Sequence, residues 1–406
     1  MTNLLWGIGG ILTIFTIAFL LSSNRKAINL RTIILGLGIQ IGFAFLVLKL
    51  EAGKKAIEWL SFKVQDIVVY ANEGINFLFG GLLIEGHGHG FIFAIQVLTI
   101  IIFFSSLISV LYYLGVMQVV VKFIGGGLAK LLGTSNTESL SAAANIFLGQ
   151  TEAPLVVKPY INKMTQSELF AVMTGGLASV AGSVLVGYSL LGVPLEYLLA
   201  ASFMAAPAGL IMAKIMVPET ETKEEVIIKL ERDTTSVNIV DAASRGAADG
   251  LKLAVNVGGM LLAFIGLIAL VNGIIGGIGG FFGYSNLSLQ GILGVAFSPL
   301  AFAIGVPWNE AITAGGFIGQ KLILNEFVAF SSFGPQIDSL SPKTVAIISF
   351  ALTGFANLSS IAILIGGLGG MAPDRRSDIA RLGLRSVIAG TLASLLSASI
   401  AGMLFI

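Results

Sequence analysis

Apolar runs follow one another along almost the whole chain, and eight of them approach the roughly 20 residues that a helix needs to cross a bilayer. Charged, glycine-rich or proline-containing stretches separate these runs. The predicted spans are residues 4–21, 32–50, 91–114, 169–191, 197–217, 253–271, 344–368 and 386–406. The pattern therefore predicts an all-α polytopic membrane protein with about eight transmembrane helices.

Two further regions, residues 125–160 and 291–330, do not have the pattern of ordinary spans. Each contains two apolar arms that are too short to cross, joined by a polar turn that contains proline: GQTEAP at 149–154 and GVPWNEA at 305–311. Such arms predict re-entrant helical hairpins. Non-helical backbone at membrane depth is tolerated only when protein or a cavity surrounds it.

The order of hairpin, broken helix and plain helix occurs twice. The sequence TQSE at 165–168 has the form of a capping box at the start of the fourth span, which glycine and serine then interrupt near Gly182. Ser341 and Pro342 start the seventh span, which is interrupted near Asn357. Because spans four, five and six separate the hairpins, we expect these to enter from opposite faces, as in inverted repeats of secondary transporters.

Charge placement orients the predicted spans. Basic clusters lie at 25–31 and 375–385, after spans one and seven, and the basic-inside bias places them in the cytoplasm with both termini outside. Counting the predicted spans from these clusters also places the polar stretch 218–249 in the cytoplasm. Its mixed charges are typical of a solvated linker. Residues 57–78 mix apolar side chains with Lys63, Asp66 and Glu73, which favours an interfacial amphipathic helix.

These boundaries divide the chain into five parts. Scaffold helices and the interfacial helix occupy residues 1–120, and the first hairpin and broken-helix repeat occupies 121–217 as one half of the transport core. A cytoplasmic linker is predicted at 218–252, a scaffold helix at 253–290, and the second hairpin and broken-helix repeat at 291–406.

Composition narrows the class of protein. Hydrophobic residues make up 55% of the 406 and charged residues only 11%, whereas a soluble domain carries about a quarter charged residues. The net charge of +1 gives no reason to expect a nucleic-acid partner, and the absence of cysteine excludes disulfides and thiolate chemistry. His87 and His89 share one glycine-rich loop, which favours a plain loop over a metal site.

Polar residues inside apolar stretches carry the functional signal, because a charge in lipid costs roughly 2.5 to 3.5 kcal/mol even on insertion scales. At the first predicted tip, Gln150, Thr151 and Glu152 lie together just before Pro154. An amide, a hydroxyl and a carboxylate can donate to and accept from a planar heterocycle. Glu152 alone would also suit a helix cap, but capping does not require its two polar neighbours.

A second carboxylate, Glu326, lies in the apolar run LILNEFVAF. A carboxylate accepts two hydroxyl hydrogen bonds, such as a vicinal sugar diol offers. An ion pair with Lys321 is the alternative, although a separation of five residues is awkward for one helical face. Asn357 and Ser360 are three positions apart and share a helical face, and Phe355 beside them is a candidate pocket wall.

A candidate cation site combines Asn145, Ser179 and the loosened backbone at Leu148 and Val180. Na⁺ prefers neutral or anionic oxygens, which an amide, a hydroxyl and unwound carbonyls supply. Asparagine and serine also form interhelical hydrogen bonds in any bundle, so both interpretations stay open. Glu310, at the second predicted tip, is assigned no role.

Taken together, these motifs resemble those of the concentrative nucleoside transporters, in the bacterial branch that is sodium-coupled. The resemblance runs from SSNRK at 22–26 through GQTEAP at 149–154 to GFANLSS at 354–360. The family signature is a glycine and a lysine followed by Asn-Glu-Phe-Val-Ala and an aromatic residue or methionine. Residues 319–330, GQKLILNEFVAF, are similar to it throughout.

The resemblance implies eight transmembrane helices, two re-entrant hairpins, interfacial helices and a homotrimer with one site per protomer. It implies a nucleobase site formed by Gln150, Thr151, Glu152 and Val184. It implies a ribose site formed by Glu326, Phe355, Asn357 and Ser360. Sodium would be bound by the side chains of Asn145 and Ser179 and the carbonyls of Leu148 and Val180, and the retained asparagine favours Na⁺ over H⁺.

The resulting expectation is a secondary active transporter of the plasma membrane that imports nucleosides such as uridine together with Na⁺ by alternating access. Proton coupling through a buried carboxylate, at Glu152, Glu310 or Glu326, is the alternative. An intramembrane enzyme is disfavoured, since no serine has an obvious imidazole base. A channel is also disfavoured, because it would use rings of like groups along a pore, whereas the two predicted hairpins carry dissimilar polar clusters.

Overall fold

The computed structural model of the chain describes residues 2–83, 92–221, 236–284 and 287–405. All regular elements within these ranges are helical, which confirms the all-α prediction. Seven helical segments in these ranges are long and apolar enough to cross a membrane. His87 and His89 lie outside the described residues, as do residues 222–235 of the polar stretch.

The first part of the chain contains two predicted spans, a long amphipathic helix and a third span that is split at Val97. Its helices are α1 (Thr2–Leu20), α2 (Leu30–Leu48), α3 (Glu51–Leu83), α4 (Phe93–Gln96) and α5 (Leu98–Tyr113). The 33 residues of α3 extend the predicted amphipathic segment at both ends. Its exposed apolar side chains include Trp59, Phe62 and Phe77, as expected of a helix at a membrane surface, and that location stays a prediction.

Two halves of the core follow, separated by one long helix. The first half contains α6 (Val116–Leu132), α7 (Asn136–Ala144), a 3₁₀ segment (Ala153–Lys163), α8 (Gln166–Ala178), α9 (Gly182–Ser189) and α10 (Leu195–Met216). The long helix is α11 (Ile239–Phe281). The second half contains α12 (Leu289–Ala303), α13 (Trp308–Ile323), α14 (Glu326–Phe333), a 3₁₀ segment (Gly334–Ser339), α15 (Pro342–Leu352), α16 (Ser360–Met371) and α17 (Arg376–Leu404).

The two halves repeat one pattern of packing as well as one order of elements. Helix α7 contacts α8 as α13 contacts α15, and α8 packs on α10 as α15 packs on α17. Contacts also cross between the halves, since α8 packs on α17 and α10 on α15. This exchange joins both broken helices into one buried core.

Local capping explains where the broken helices begin. The Thr165 hydroxyl accepts a hydrogen bond from the Glu168 amide, and Glu168 in turn accepts from the Thr165 amide, which is the predicted capping box. Ser341 caps α15 by accepting from the Thr344 amide. Each cap satisfies amides that a helix start otherwise leaves unpaired.

The turn predicted at 305–311 is present, but it is not the counterpart of the first tip. Gly305 has φ +113°, and the chain bends by 115° between α12 and α13. The Glu310 carboxylate accepts hydrogen bonds from the Ser341 amide at 2.9 Å and the Ser341 hydroxyl at 2.8 Å. The counterpart of the first tip is the later break between α13 and α14, at Leu324 and Asn325.

The last part of the linker predicted at 218–252 is helical, because α11 begins at Ile239, before the predicted start of the sixth span at Leu253. The Asn238 side chain caps α11 by accepting from the Asp241 amide. Arg245 pairs with Asp241 one turn along. Polar side chains at this end thus support a helix that hydropathy alone does not predict.

Candidate functional site

A cavity of about 140 Å³ lies where the two halves of the core meet α11. All eight residues that the sequence predicts for substrate binding line it: Gln150, Thr151, Glu152, Val184, Glu326, Phe355, Asn357 and Ser360. Leu253, Val257 and Met260 of α11 form an apolar wall that the sequence analysis missed. Their spacing places them on one helical face, so the pattern was available in the sequence.

The first tip lies against a glycine pair in α8. Helix α7 ends at Ala144, and the following irregular backbone is fixed where the Gly149 amide donates to the Glu152 carboxylate at 3.2 Å. A side chain built on Gly176 would put its Cβ 3.0 Å from the Gln150 Cβ. Gly176 therefore leaves the room in which the tip sits. The Gln150 amide oxygen is buried there without a hydrogen-bond partner among the described residues.

The second tip begins α14 and presents a carboxylate whose position is fixed from two sides. The Asn325 side chain caps α14 by accepting from the Val328 amide at 2.9 Å. One oxygen of Glu326 accepts from the Tyr188 hydroxyl at 3.3 Å, and the other accepts from the Asn357 amide group at 3.2 Å. Each oxygen keeps a lone pair for a ligand. Tyr188 was missed because an aromatic residue in an apolar span is usually simple packing.

The breaks in the fourth and seventh spans, both predicted, meet each other beside the cavity. The Phe355 amide donates to the Ser179 carbonyl at 3.0 Å. In the second break, the Asn357 side-chain oxygen accepts from the Ser359 hydroxyl at 2.7 Å and the Ser360 amide at 2.9 Å. These bonds orient the Asn357 amide group towards Glu326.

The alternative ion pair of Lys321 with Glu326 is wrong. The Lys321 ammonium instead donates to the Ala351 carbonyl at 2.8 Å and the Ser394 hydroxyl at 3.2 Å. Glu326 consequently has no salt-bridge partner within the described residues, and its oxygens are available to a ligand.

The four residues predicted for a cation lie at the junction between the first tip and the break in α8. The Gly182 amide donates to the Phe147 carbonyl at 2.9 Å, which joins the two irregular segments side by side. The Asn145 amide nitrogen donates to the Ser141 carbonyl at 2.9 Å, and the Ser179 hydroxyl donates to the Gly175 carbonyl at 3.0 Å.

The Asn145 amide oxygen is the notable atom at this junction, since it is buried and has no hydrogen-bond partner among the described residues. Leu148 and Val180 are also buried, and both lie outside the helices. No group of three or more acidic or histidine side chains suited to a metal ion occurs in the described ranges. The junction is therefore built from neutral oxygens, which is the chemistry that Na⁺ accepts.

A larger cavity of about 710 Å³ lies elsewhere, between α3, α5 and α11. It is mainly apolar, and two of its polar side chains, Thr99 and Ser106, donate their hydroxyls to the backbone carbonyls of Ile95 and Ala243. With those two hydroxyls occupied, it offers little to orient a polar ligand. The smaller cavity between the tips is the better candidate site.

Three family models together match most of the chain. A model described as the N-terminus of Na⁺-dependent nucleoside transporters matches residues 9–82, one described as nucleoside recognition matches 94–195, and one for the C-terminus of Na⁺-dependent nucleoside transporters matches 197–402. The chain belongs to the Na⁺-dependent nucleoside transporter family. It is a nucleoside transporter and not an enzyme, and a multi-pass membrane protein.

Relatives and solved structures agree with this membership. The nucleoside permease NupC of Helicobacter pylori is 50% identical, with 98% of this chain and 97% of the permease covered. The mouse sodium/nucleoside cotransporter 1 is 38% identical over 98% of this chain and 63% of its own length. The inward-facing, substrate-bound structure of CNTnw superposes with a TM-score of 0.94 at 56% identity, covering 99% of this chain and 98% of the other.

An outward-facing CNTnw variant superposes equally well, with a TM-score of 0.95 at 55% identity over 100% of this chain and 98% of that one. CNTnw is therefore known in both inward-facing and outward-facing states.

Proposed function

We propose that this transporter is a Na⁺-coupled symporter that imports nucleosides such as uridine by alternating access. The observation that carries the proposal is the buried amide oxygen of Asn145, which has no hydrogen-bond partner in the described part of the chain and lies at the base of the tip that presents Gln150, Thr151 and Glu152. An unsatisfied buried acceptor costs about 1–3 kcal/mol, and a cation bound there would remove that cost.

The cavity supports a division of the nucleoside between the two tips. The Gln150 amide oxygen has no hydrogen-bond partner among the described residues, so it can accept from a ligand. Together, Gln150, Thr151 and Glu152 match the mixed donors and acceptors of a base edge, and Val184 provides an apolar face. Glu326, Asn357 and Ser360 present the oxygens and amide that a ribose diol requires, and Phe355 closes that side. The α11 wall would stack against either part of the ligand.

Coupling between Na⁺ and nucleoside binding follows from the proposed position of the cation, between the first tip and the α8 break. Na⁺ bound by the Asn145 and Ser179 side chains and the Leu148 and Val180 carbonyls would fix the tip, so nucleoside affinity would rise with Na⁺. By linkage, Na⁺ affinity would rise with nucleoside by the same factor. One Na⁺ crossing a potential of 100 mV provides about 2.3 kcal/mol of driving force.

The proposed topology places both termini outside the cell and both basic loops in the cytoplasm. In support, the Asn3 side chain donates to the Phe405 carbonyl at 2.9 Å, so the two ends of the chain meet. The Arg385 side chain donates to the Leu21 carbonyl at 2.5 Å, which brings the two basic loops together. We also propose that both tips are re-entrant hairpins and that the protein is a homotrimer, with mass measurement in nanodiscs as the test of the latter.

Radiolabelled uridine uptake into proteoliposomes tests the function. An inward Na⁺ gradient should drive accumulation, whereas choline in its place should not. Asn145→Ala should abolish the Na⁺ dependence, and Glu326→Gln should abolish uptake. Asn309→Ala, at an exposed asparagine outside the cavity, is the matched control. Accumulation under a proton gradient alone would establish the H⁺-coupled alternative and refute the Asn145 site.

A further inference from the structure

The broken helices α8 and α15 end in the same way. In each, the first residue after the helix returns its hydroxyl to the carbonyl four positions earlier: Ser179 donates to Gly175 at 3.0 Å, and Thr353 donates to Ser349 at 2.7 Å. The remaining carbonyls of a helix end carry partial negative charge and have no intrahelical partner. Both ends therefore favour a nearby cation.

The two ends also lie close to each other. A Cβ built on Gly354 would fall 3.0 Å from the Ala178 carbonyl oxygen, 3.2 Å from that of Leu177 and 2.7 Å from the Ser394 hydroxyl. The carbonyl ends of both helices thus converge on one buried region. Two negative helix ends in one place repel each other unless positive charge lies between or beside them.

The two halves place different polar groups beside these helix ends. The first half places the Asn145 amide, whose oxygen is buried and has no hydrogen-bond partner within the ranges that the structure describes. The second half places Lys321, in the last turn of α13, with a side chain that is 1% exposed. Its ammonium donates to Ala351, a carbonyl of the last turn of α15, and to Ser394. In the described part of the chain it forms no direct salt bridge with a carboxylate.

We propose that Lys321 is a tethered cation that performs, for the second half, the task that Na⁺ performs for the first. This rests on the proposed function in its assignment of Na⁺ to the Asn145 junction. Lys321 is a positioning residue: it fixes the end of α13 against the end of α15 and so presets the tip that carries Glu326. The ribose half of the cavity is then assembled permanently, and only the base half depends on the free ion.

Lys321 lies only five residues before Glu326, so fixing Lys321 also fixes the tip. The helix α13 ends two residues after Lys321, and the chain turns at Leu324 so that Glu326 accepts a hydrogen bond from Asn357 at 3.2 Å. Asn357 lies in the break that follows α15. Anchoring Lys321 to Ala351 therefore joins both partners of the proposed diol site through one ammonium.

The test compares uridine with 2′,3′-dideoxyuridine in equilibrium binding to purified protein, each with Na⁺ at saturation. Wild type should prefer uridine, since the diol supplies hydrogen bonds to a charged carboxylate. Lys321→Met, similar in length but neutral, should lose about tenfold or more of that preference. Lys321→Arg should keep more of it than Lys321→Met because it keeps the charge.

A merely structural role would weaken both ligands equally and leave their ratio unchanged, and that result would overturn the proposal. Equal loss of the ratio in the Met and Arg variants would also overturn it. If Lys321→Met does not purify as folded protein, Lys321→Gln decides, because it is neutral but can still donate a hydrogen bond: a reduced ratio supports the proposal and an unchanged ratio refutes it. Wild-type uridine affinity that ignores Na⁺ would instead refute the proposed function and leave the ratio test intact.

Discussion

A single methyl group at Gly176 should separate the first tip from the ligand. In Gly176→Ala the new Cβ would lie 3.0 Å from the Gln150 Cβ and 3.1 Å from its Cα, closer than carbon atoms pack. Both contacts are with atoms at the root of the Gln150 side chain, which cannot rotate away, so the tip must move by a few tenths of an ångström. Overpacking of this kind costs about 1–3 kcal/mol.

If that strain is relieved by displacing the tip, it appears as lost affinity. A cost of about 1–3 kcal/mol corresponds to roughly 5- to 150-fold weaker binding of uridine. Alanine also favours a helix by about 0.5–1 kcal/mol over glycine, so thermal stability should change less than affinity. Isothermal titration of uridine into purified protein measures the affinity, and thermal unfolding in detergent measures the stability.

Gly127→Ala is the control, because a Cβ at Gly127 meets nothing within 4 Å. It should leave uridine affinity unchanged. Unchanged affinity in Gly176→Ala as well would refute the reasoning, since it would mean that the tip does not need its close approach to α8. Equal loss of stability and affinity would mean that the strain falls on the whole core instead of the tip.

Three further outcomes follow from contacts described above or present in the same core. Glu326→Gln should weaken uridine binding by roughly 10- to 150-fold, because it loses charge-assisted hydrogen bonds worth about 1.5–3 kcal/mol; thermal stability should fall less. Lys214→Met should destabilise the protein by about 3–5 kcal/mol in unfolding experiments, since Lys214 pairs with Glu138 at 2.5 Å and both are buried. Glu310→Gln should cost about 1 kcal/mol of stability by weakening its bonds to Ser341, and normal uridine affinity would agree with its place outside the cavity.

Much of the site could be predicted from the sequence because its polar residues stand out in apolar surroundings. Lipid penalises Glu326 or Asn357 unless a partner or ligand is present, so their existence was informative before their contacts were known. The breaks near Gly182 and Asn357 carried the same kind of signal. All eight predicted binding residues line one cavity, and their individual roles stay predictions.

The position of the second tip could not be predicted in the same way. Glycine and proline at 305–311 mark a real turn, and they therefore predict the tip at this position. The break at Leu324 and Asn325 contains neither residue, because it is made by the Asn325 side chain capping α14. Unlike the capping box at 165–168, this cap has no glutamate or glutamine three residues after the capping residue, so it lacks the sequence signature of a helix start.

The start of α11 was missed for a related reason. Hydropathy predicts where a helix enters lipid, but it does not predict how far the same helix continues into water. The exposed pair of Arg245 with Asp241 supports a polar turn of helix that has no apolar signature.

The hydrogen bond from the Phe355 amide to the Ser179 carbonyl has a consequence for how such proteins diversify. Asn145 and Ser179 do not line the cavity between the tips, while Phe355 does, and a main-chain hydrogen bond connects the two places. On the proposed assignments, a substitution at Asn145 changes the ion without altering any atom that touches the nucleoside. Related proteins can therefore change their driving ion by substitutions outside the cavity, and linkage then transmits the change to the affinity for the cargo.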